Sequence, residues 1–411
     1  MNRYVLLLGL IFMLTNIKAQ ETINWVLISS KTGGIEVPNQ GLQQTSTAVA
    51  DFDNDGINDF AVSERTIAPG LVWYKRNDNG WKRHVVDDRI VTIEAGTISY
   101  DIDNDGDMDI IAGSDSQGNE IWWWENPYPQ FDPAKPWNRF YIVNTGGKKH
   151  HDQMTGDFDG DGKTDLVFWT QRGEFPGLFF GRIPQNPKIQ DNWTFYSVFE
   201  YYTDGQMEQR GIPPAFKSVN EHEGLAKVDI DGDGILDIIG GGMWFKYLGD
   251  NRFSYNMIDV TYTFSRSAVG QFIKGGRPEV ILVVGDGQGP MNLYEYTPTA
   301  RNTWKSRTIV PVVDNGHSIS VIDFNGDGNL DIWNAEMTLD GNSDAVNHIL
   351  LGDGKGNFPG EIVISKGTDV HESEIADLDG DGDLDILGKP YNGDTPALNI
   401  WLQNGTGRVP K

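Results

Sequence analysis

Histidines and aspartates stand side by side in the segment HHDQMTGDFDGDGKTDLVFW, which covers residues 150–169. Its acidic part has carboxylates at the first, third, fifth and ninth positions of a loop and glycine at the sixth. Alternating oxygen ligands around a sharp turn suit a hard cation that prefers six to eight oxygens, as Ca²⁺ does. The two histidines suit a different chemistry, because imidazole can transfer protons or bind a metal near neutral pH.

The acidic loop occurs six times along the chain, which favours Ca²⁺ binding over the alternative of a merely solvated acidic turn. It lacks the Glu at position 12 and the flanking helical patterns of an EF-hand. The chain has no cysteine, so we expect these ions to be structural in a fold without disulfides. The predicted ligands are Asp51, Asp53, Asp55 and Asp59; Asp101, Asp103, Asp105 and Asp109; Asp157, Asp159, Asp161 and Asp165; Asp229, Asp231, Asp233 and Asp237; Asp323, Asn325, Asp327 and Asp331; and Asp377, Asp379, Asp381 and Asp385.

The loops mark a repeat that predicts the fold class. A degenerate seventh copy, QFIKGGRPE from Gln271, keeps the loop pattern without its acidic ligands. Seven units of roughly fifty residues, each with four short strands, predict an all-β fold, a seven-bladed β-propeller. Only six fourth strands follow the loops, and the seventh is NWVLIS from Asn24, so the N-terminal strand is expected to close the ring. We expect most of the thirteen tryptophans to pack between blades rather than to stack on sugars.

Residues 1–19 read as a signal peptide, with a basic start, a short apolar run and Ala19 before the cleavage point. Residues 20–411 then form one propeller domain, and we expect the protein to be periplasmic or secreted. The net charge of −26 argues against binding to nucleic acid or to anionic membranes. No later segment is apolar for long enough to insert into a membrane. We expect a monomer.

Five of the seven histidines lie six or seven residues before the first position of a loop: His150, His151, His222, His317 and His371. In a propeller the strand before this loop is the innermost of its blade. Its start therefore lies beside the central axis, on the face opposite the acidic loops. We expect the five imidazoles to meet in one axial pocket, and His84 and His348 to be ordinary strand residues.

Other strand ends are expected to join this pocket. Arg266 opens the inner strand of the degenerate fifth blade, and Glu94 and Glu223 are acidic candidates. The insertion at residues 201–220, with Arg210, is placed to cover the pocket. This set predicts a basic funnel that attracts anions to an acidic protein. The candidates at the ends of the second strands are Arg65, Arg172, Trp244, Glu336, Lys389 and Tyr391.

Three functions remain open for such a pocket. The first is β-elimination on a uronic acid residue, with catalytic roles for His151, His222, His317, His371 and Arg266 and substrate contacts from His150 and the second-strand residues. The second is a transition-metal site, since three neutral imidazoles suit Zn²⁺. The third is a non-catalytic carbohydrate-binding or adhesion propeller, similar to a lectin. A glycosidase carboxylate pair drawn from Glu94, Glu223, Glu336 and Glu372 is also open.

From about residue 22 to the end the repeats resemble the FG-GAP/VCBS family of calcium-binding β-propellers, a family that implies fold more than function. Together with the WWWENP segment at Trp122–Pro127 and the inner-strand histidines, they also resemble propeller enzymes that eliminate across sugar rings. These include ulvan-type polysaccharide lyases, uronate-directed oligosaccharide dehydratases and aldos-2-ulose dehydratase. The resemblance implies a carbon–oxygen lyase that acts on an acidic, ulvan-like oligosaccharide or polysaccharide, either as a dehydratase of the terminal uronate or as an exo-lyase.

Overall fold

The structure is a computed structural model that describes residues 23–173, 176–200, 221–262, 264–299, 301–391 and 393–403. The predicted signal peptide and the insertion with Arg210 lie outside these described residues. Within the described ranges, no helix is both long enough and apolar enough to pass through a membrane.

Seven antiparallel sheets of four strands each form the described part of the chain. The first three blades contain β2 (Gln44–Ala50), β3 (Asp59–Glu64), β4 (Leu71–Asn77) and β5 (Gly80–Asp87); β6 (Ile98–Tyr100), β7 (Asp109–Gly113), β8 (Ile121–Glu125) and β9 (Asn138–Val143); and β10 (Lys148–Gly156), β11 (Asp165–Arg172), β12 (Gly177–Arg182) and β13 (Tyr196–Glu200). The next two contain β14 (Leu225–Val228), β15 (Asp237–Gly240), β16 (Met243–Gly249) and β17 (Arg252–Met257); and β18 (Ser265–Gly270), β19 (Glu279–Val284), β20 (Gln288–Thr297) and β21 (Thr303–Asp314).

The last two blades complete the ring. The sixth contains β22 (Ser318–Ile322), β23 (Asp331–Ala335), β24 (Val346–Leu351) and β25 (Gly360–Lys366), and the seventh contains β26 (Glu374–Ala376), β27 (Asp385–Gly388), β28 (Asn399–Gln403) and β1 (Trp25–Ser29). The first strands of neighbouring blades contact one another around the axis. The seven-bladed β-propeller predicted from the sequence is therefore confirmed, with the first strand of each blade innermost.

The N-terminal strand closes the ring as predicted. Strand β1 pairs antiparallel with β28 in the register Trp25 to Gln403 through Ser29 to Asn399. The Trp25 ring also stacks on Phe324 in the sixth blade, with ring centroids 5.8 Å apart. One strand from the start of the chain therefore becomes the outermost strand of the last blade, so that both ends of the described chain lie in one sheet.

The acidic turn has the same conformation in six blades because two of its positions have a left-handed backbone, whereas in the fifth blade the left-handed residue is Gly275, at the fifth position. In the first loop these are the fourth and sixth residues, Asn54 with φ 53° and Gly56 with φ 91°. The ninth residue then accepts the amide of the second, as Asp109 does from Ile102 at 2.9 Å. Glu279 accepts the Phe272 amide at 2.7 Å in the fifth blade, which confirms that the degenerate copy keeps the turn.

The core lies between adjacent blades, where aromatic rings from neighbouring sheets pack against one another. One cluster joins Trp73 of the first blade to Trp122 and Trp124 of the second. The third and fourth blades share another cluster, in which Trp169 packs near Phe245. This packing confirms that tryptophan serves mainly as core between blades.

The ring closure gives a direct stability test. We expect Trp25→Ala to lower the free energy of unfolding by about 2 kcal/mol, because it removes the aromatic contact to the sixth blade. Chemical denaturation measures this change. The control is Leu27→Ala on the same strand, whose side chain is 52% exposed and should cost less than about 0.5 kcal/mol. Equal losses for both variants would contradict the proposed closing role of Trp25.

Candidate active site

Three of the predicted histidines and one glutamate meet at the axis. His151 Nε2 lies 3.4 Å from one carboxylate oxygen of Glu223, and His317 Nε2 lies 3.3 Å from the other. The ring of His371 lies against that of His317, with centroids 4.4 Å apart. All four side chains are at most 6% exposed. The third, fourth, sixth and seventh blades therefore contribute one group each to a single buried cluster, which we call the axial cluster.

A second layer of charge holds the two imidazoles from behind. His151 Nδ1 lies 2.7 Å from Asp152 Oδ2, and His317 Nδ1 lies 3.2 Å from Glu372 Oε1. Arg266 joins these carboxylates, at 3.1 Å from Asp152 and 2.6 Å from Glu372. With Nδ1 of both rings facing a carboxylate, both Nε2 atoms are directed at Glu223.

The backbone conformation explains how consecutive residues reach the same site. Asp152 and Glu372 have φ values of 43° and 41°, in the left-handed region that non-glycine residues seldom adopt. In β10 the register shifts between His151 and Gln153, which marks a β-bulge. A bulge of this kind re-aims side chains. His151 and Asp152 therefore both face the axis instead of alternating across the sheet.

The seventh blade supplies a second group of side chains beside the cluster. Tyr391 packs on His371, with ring centroids 4.8 Å apart, and Arg65 Nη2 donates to the Tyr391 hydroxyl. Arg65 also pairs with Glu94 at 3.3 Å. Lys389 Nζ lies 3.1 Å from His371 Nδ1 and donates to two backbone carbonyls, all within the protein interior. Arg65 and Tyr391 therefore line the pocket as the sequence predicted, whereas Arg266 lies beneath the cluster and Lys389 is buried behind His371.

The charges divide the imidazoles into two kinds. Burial opposes protonation of His151 and His317, but contacts with Glu223 and their second carboxylates raise their pKa values to about 9 and about 10. Burial and the nearby Lys389 and His317 instead hold the pKa of His371 well below its usual value. At neutral pH His371 is therefore the neutral imidazole of the cluster.

A cavity of about 380 Å³ opens over the cluster, and its walls are not basic. Three basic side chains line it together with the protonated imidazoles of His151 and His317, and five carboxylates lie among them. The predicted basic funnel is therefore wrong: the pocket has mixed charge, because acidic residues from the surrounding loops offset the cations. The lining cations are Arg65, Lys149 and Arg172, and the lining acids are Glu94, Asp115, Glu221, Glu223 and Asp286.

Two of the five predicted histidines do not join the cluster. His150 faces Thr170 at 3.0 Å and packs on Phe168, at the wall of a separate cavity. His222 packs on Trp169 instead, with ring centroids 5.4 Å apart. Both lie seven residues before their loop, whereas the converging histidines lie six residues before theirs. Alternation of side chains along a strand sends the two sets in different directions.

Other rim candidates take different positions from those predicted. Trp244 is buried between the fourth and fifth blades against Tyr296 and Trp304, so it does not line the pocket. Glu336 accepts the backbone amides of Asp314 and Val346 and holds a loop. Arg172 does line the pocket, at its exposed edge, where it pairs with Glu221.

The sequence analysis did not identify Asp152 as a site residue, and it predicted Glu223 only as one of the acidic candidates of the pocket. The sequence did contain a signal for both. Glu223 lies six residues before its loop, like the three converging histidines, and Asp152 lies five residues before its loop, like Arg266 and Glu372. Repeat position therefore identifies the whole cluster.

The acidic loops on the opposite face gather carboxylates as predicted. In at least three of them, three ligand oxygens lie within 4.8 Å of one another, as in Asp51, Asp53 and Asp59. One buried oxygen of Asp53, like one of Asp379, has no hydrogen-bond partner. These orphaned oxygens fit a bound cation. A competing counter-charge is also present, because Lys75 reaches Asp53, and Lys188, Arg182 and Lys246 contact three further loops.

Lys389 provides a test of the buried electrostatics. Burial lowers its pKa to about 7, so above this pH the unfolded chain holds a proton that the folded protein has released. Stability therefore rises with pH, by about 2 kcal/mol between about pH 7 and pH 9. This rise should disappear in Lys389→Met and persist in the exposed control Lys135→Met. Unfolding free energies at the two pH values measure it, and an unchanged rise in Lys389→Met would contradict it.

Comparisons with known proteins support the fold. The FG-GAP-like repeat family matches residues 101–168, 157–240 and 276–333. Among solved structures, an ancestral GH74 enzyme has a TM-score of 0.55 at 9% identity over 88% of this chain, and the chain spans 47% of that protein. The N-terminal part of BBS1 in complex with ARL6 has a TM-score of 0.49 at 13% identity, with 89% and 94% of the two chains covered.

An exotype rhamnogalacturonan lyase, YesX, has a TM-score of 0.49 at 14% identity, with 92% of this chain and 75% of the lyase covered. No curated protein matches the sequence. At such identities the likeness concerns the fold alone, which carbohydrate-active enzymes share with proteins of other functions. The chain is thus a seven-bladed β-propeller that contains FG-GAP-like repeats.

Proposed function

We propose that the protein is a carbon–oxygen lyase that performs β-elimination on a uronic acid residue at the end of an acidic oligosaccharide. The observation that supports this most directly is the contact between the His371 and Tyr391 rings on the wall of the axial pocket. One is a neutral imidazole and the other a phenol. Together they supply the base and the acid that an elimination needs.

The reaction breaks the C5–H and C4–O bonds of the uronate and forms a C4–C5 double bond. A base takes the C5 proton, a cation stabilises the charge that develops on the neighbouring carboxylate, and an acid protonates the departing C4 oxygen. If that oxygen leaves as water the enzyme is a dehydratase, and if it leaves as part of a sugar the enzyme is a lyase.

His371 is assigned as the base. A base must be unprotonated, and His371 is the imidazole of the axial cluster whose pKa is lowered. Its ring lines the pocket, and its Nδ1 faces the buried Lys389. Burial lowers the pKa of Lys389 to about 7, and the neutral amine, which donates to two backbone carbonyls, accepts the Nδ1 proton, so that Nε2 carries the lone pair that faces the substrate. The neutral ring is thereby held in one orientation.

Tyr391 is assigned as the acid. Burial raises its pKa, so the phenol keeps its proton at neutral pH. Because Arg65 donates to the phenolic oxygen, the phenolic hydrogen is directed elsewhere and is available to the leaving oxygen. Arg65 also places positive charge at this end of the pocket.

The substrate carboxylate needs a cationic partner away from the base. Lys149 lines the same pocket beside His151, and its ammonium group pairs with Glu221 at 2.6 Å. The axial cluster, at the pocket floor, supplies the other positive groups. The substrate carboxylate would be oriented there, with C5 toward His371.

The closed floor of the pocket favours action on a chain end. The side chains of Asp152, Arg266 and Glu372 line a second cavity of about 410 Å³ on the far side of the cluster. Since the charged layer separates the two cavities, an oligosaccharide cannot pass through the axis. A terminal residue that enters from the open face fits this shape, which supports the exo-acting form of the reaction.

We further propose that the six acidic loops bind structural Ca²⁺ and that the protein is exported by the segment at residues 1–19. The orphaned loop oxygens support the first proposal. Calcium binding would stabilise the turn between the first and second strands of six blades. An exported location would supply both the ion and the glycan.

The activity test uses the purified protein with oligosaccharides that end in a uronate. Ultraviolet absorbance follows the new double bond, and mass spectrometry follows the product. Growth in absorbance with loss of one water identifies a dehydratase, and growth with chain shortening identifies a lyase. We expect His371→Gln and Tyr391→Phe to reduce turnover by at least about 100-fold.

The control for these variants is His348→Gln, which alters a histidine in β24 that pairs with Glu361 away from the pocket. Its turnover should match the wild type. Retained binding of the oligosaccharide without any absorbance change, in the wild type itself, would instead assign the pocket to a lectin.

Calcium removal tests the loops. We expect chelation to lower the melting temperature, because each saturated site adds about 2.7 kcal/mol of stability at a ligand concentration of 100 Kd. Restoring Ca²⁺ should reverse the loss, and Asp379→Asn should reduce the response while the exposed Asp250→Asn does not. If chelator does not change the melting temperature, the calcium proposal is wrong. The carboxylates of the loops are then neutralised by Lys75 and by the other basic side chains that contact them.

A further inference from the structure

A buried lysine lies directly behind the imidazole that faces the pocket. Lys389 is 0% exposed, and its Nζ lies 3.1 Å from His371 Nδ1. We propose that Lys389 is a positioning residue that sets the tautomer of His371: beside a neutral amine, His371 Nε2 carries a lone pair and accepts a proton, whereas beside an ammonium it carries a hydrogen and donates it. The tautomer does not depend on any reaction, but its effect on turnover rests on the proposed function.

Three acceptors surround Nζ, and they account for both states. They are the Gln44 carbonyl at 3.1 Å, the His371 carbonyl at 2.6 Å and His371 Nδ1 at 3.1 Å. An ammonium has three N–H donors and no acceptor, so it donates to all three, and Nδ1 must then be the unprotonated nitrogen of the ring. A neutral amine has two hydrogens, which the carbonyls accept. Its lone pair then accepts the Nδ1 hydrogen, and the ring lone pair is on Nε2.

Hydrogen bonds of the backbone hold the two side chains in this contact. The His371 amide donates to the Lys389 carbonyl at 2.8 Å. Ser373 Oγ donates to the His371 carbonyl at 3.0 Å and accepts the Lys389 amide at 3.2 Å. Gln44, in the first blade, supplies the remaining carbonyl. Because Nζ has no exposed surface, an amine that left Nδ1 would also lose both carbonyls in a buried site, which is costly.

The charges around Lys389 place its change of state near neutral pH. Burial lowers the pKa of Lys389 to about 7. Three carboxyl groups of the same blade, those of Glu372, Asp369 and Glu374, favour the ammonium and oppose part of this effect. The amine therefore gains its proton within the range in which enzymes operate.

His371 itself stays neutral through this change. Burial and four positively charged neighbours keep its pKa well below the usual value. Tyr391 packs against its ring, with centroids 4.8 Å apart. Titration of Lys389 therefore changes the tautomer of His371 and not its charge. The four neighbours, in order of effect, are Lys389, His317, Arg266 and His151.

The pair also supplies a path for the C5 proton, a step that rests on the proposed elimination. Nε2 takes the proton from C5 while Nδ1 passes its own hydrogen to the Lys389 amine. The positive charge then lies on an ammonium with three acceptors instead of on an imidazolium that the surrounding charges disfavour. Below about pH 7 Lys389 already holds this proton, so Nε2 carries hydrogen and cannot act as the base.

The tautomer is measured by NMR on the full chain labelled with nitrogen-15 at histidine. Long-range proton–nitrogen correlations distinguish a ring protonated on Nδ1 from one protonated on Nε2, and both from an imidazolium. The spectrum of His371→Gln assigns the signal. We expect the hydrogen on Nδ1 above about pH 8 and on Nε2 below about pH 6, with the change centred at about pH 7.

Variants separate Lys389 from its neighbours. In Lys389→Met and in Lys389→Gln the side chain does not titrate, so the tautomer of His371 should not change with pH. Two substitutions are used so that misfolding of one does not remove the test. Glu374→Gln is the matched control, because burial also raises the pKa of Glu374 to about 7. In this control, and in the exposed Lys135→Met, the change of tautomer should persist.

Turnover gives a second readout. With an oligosaccharide that ends in a uronate, kcat/KM of the wild type should fall about tenfold for each pH unit below about pH 7. In Lys389→Gln the amide oxygen accepts the Nδ1 hydrogen at every pH. The fall in kcat/KM should then move to lower pH, where His371 itself becomes protonated.

A wild-type tautomer that is the same at about pH 6 and about pH 8 would overturn the role of Lys389. So would a change of tautomer that persists in both Lys389 variants, or one that is lost in Glu374→Gln. The proposed reaction fails separately. If the tautomer changes as expected but no double bond forms from any uronate substrate, the elimination is wrong and the control of the His371 tautomer by Lys389 stands.

Discussion

The buried contact of Arg266 with Asp152 and Glu372 is the interaction on which the axial site depends. Each of these carboxylates also faces an imidazole nitrogen, so one guanidinium in the fifth blade orients groups in the third and seventh and, through Glu372, in the sixth. Removing one partner of a buried ionic network commonly costs roughly 3–5 kcal/mol, because the remaining charge is left uncompensated. The fifth blade has lost the acidic ligands of its loop and yet supplies this central cation.

Distance from the loop determines the role of each inner-strand residue. Residues six positions ahead, such as His151 and Glu223, form the axial cluster, and residues five positions ahead, such as Asp152, form the layer beneath. Residues seven positions ahead, such as His150, pack into the blade. The left-handed backbone at the fifth position ahead lets two consecutive side chains face the axis. Two other blades have glycine there with positive φ, Gly96 and Gly224.

The fold and part of the site follow from the sequence, and the remainder does not for identifiable reasons. The repeat spacing predicted seven blades, ring closure by β1 and the degenerate turn at Glu279, because turn chemistry and strand alternation are local. The prediction of a basic pocket was wrong because the acids that line the pocket include Asp115 and Asp286. Both lie in loops, and the periodicity of the sequence does not predict the path of a loop. The predicted position of Trp244 at the pocket was wrong, because its place at the end of a strand does not show which side of the sheet the ring faces.

The two faces of the propeller are linked by the inner strands. Strand β10 carries His151 near its open end and runs directly into the loop at Asp157, so the site and the loop lie about 20 Å apart along one strand. An ion bound in the loop would therefore lie too far from the axial cluster to contact a molecule there and would act by holding the strand that positions the imidazole. The loop is nearly the same in six blades, but the residue six positions ahead of it changes from blade to blade. In order these residues are Thr45, Ala95, His151, Glu223, Ser265, His317 and His371. A repeat whose turn maintains the fold can thus change the side chains that face the axis without changing the turn. The turn therefore identifies the architecture, and the inner-strand residues ahead of it determine the chemical groups of the axial cluster.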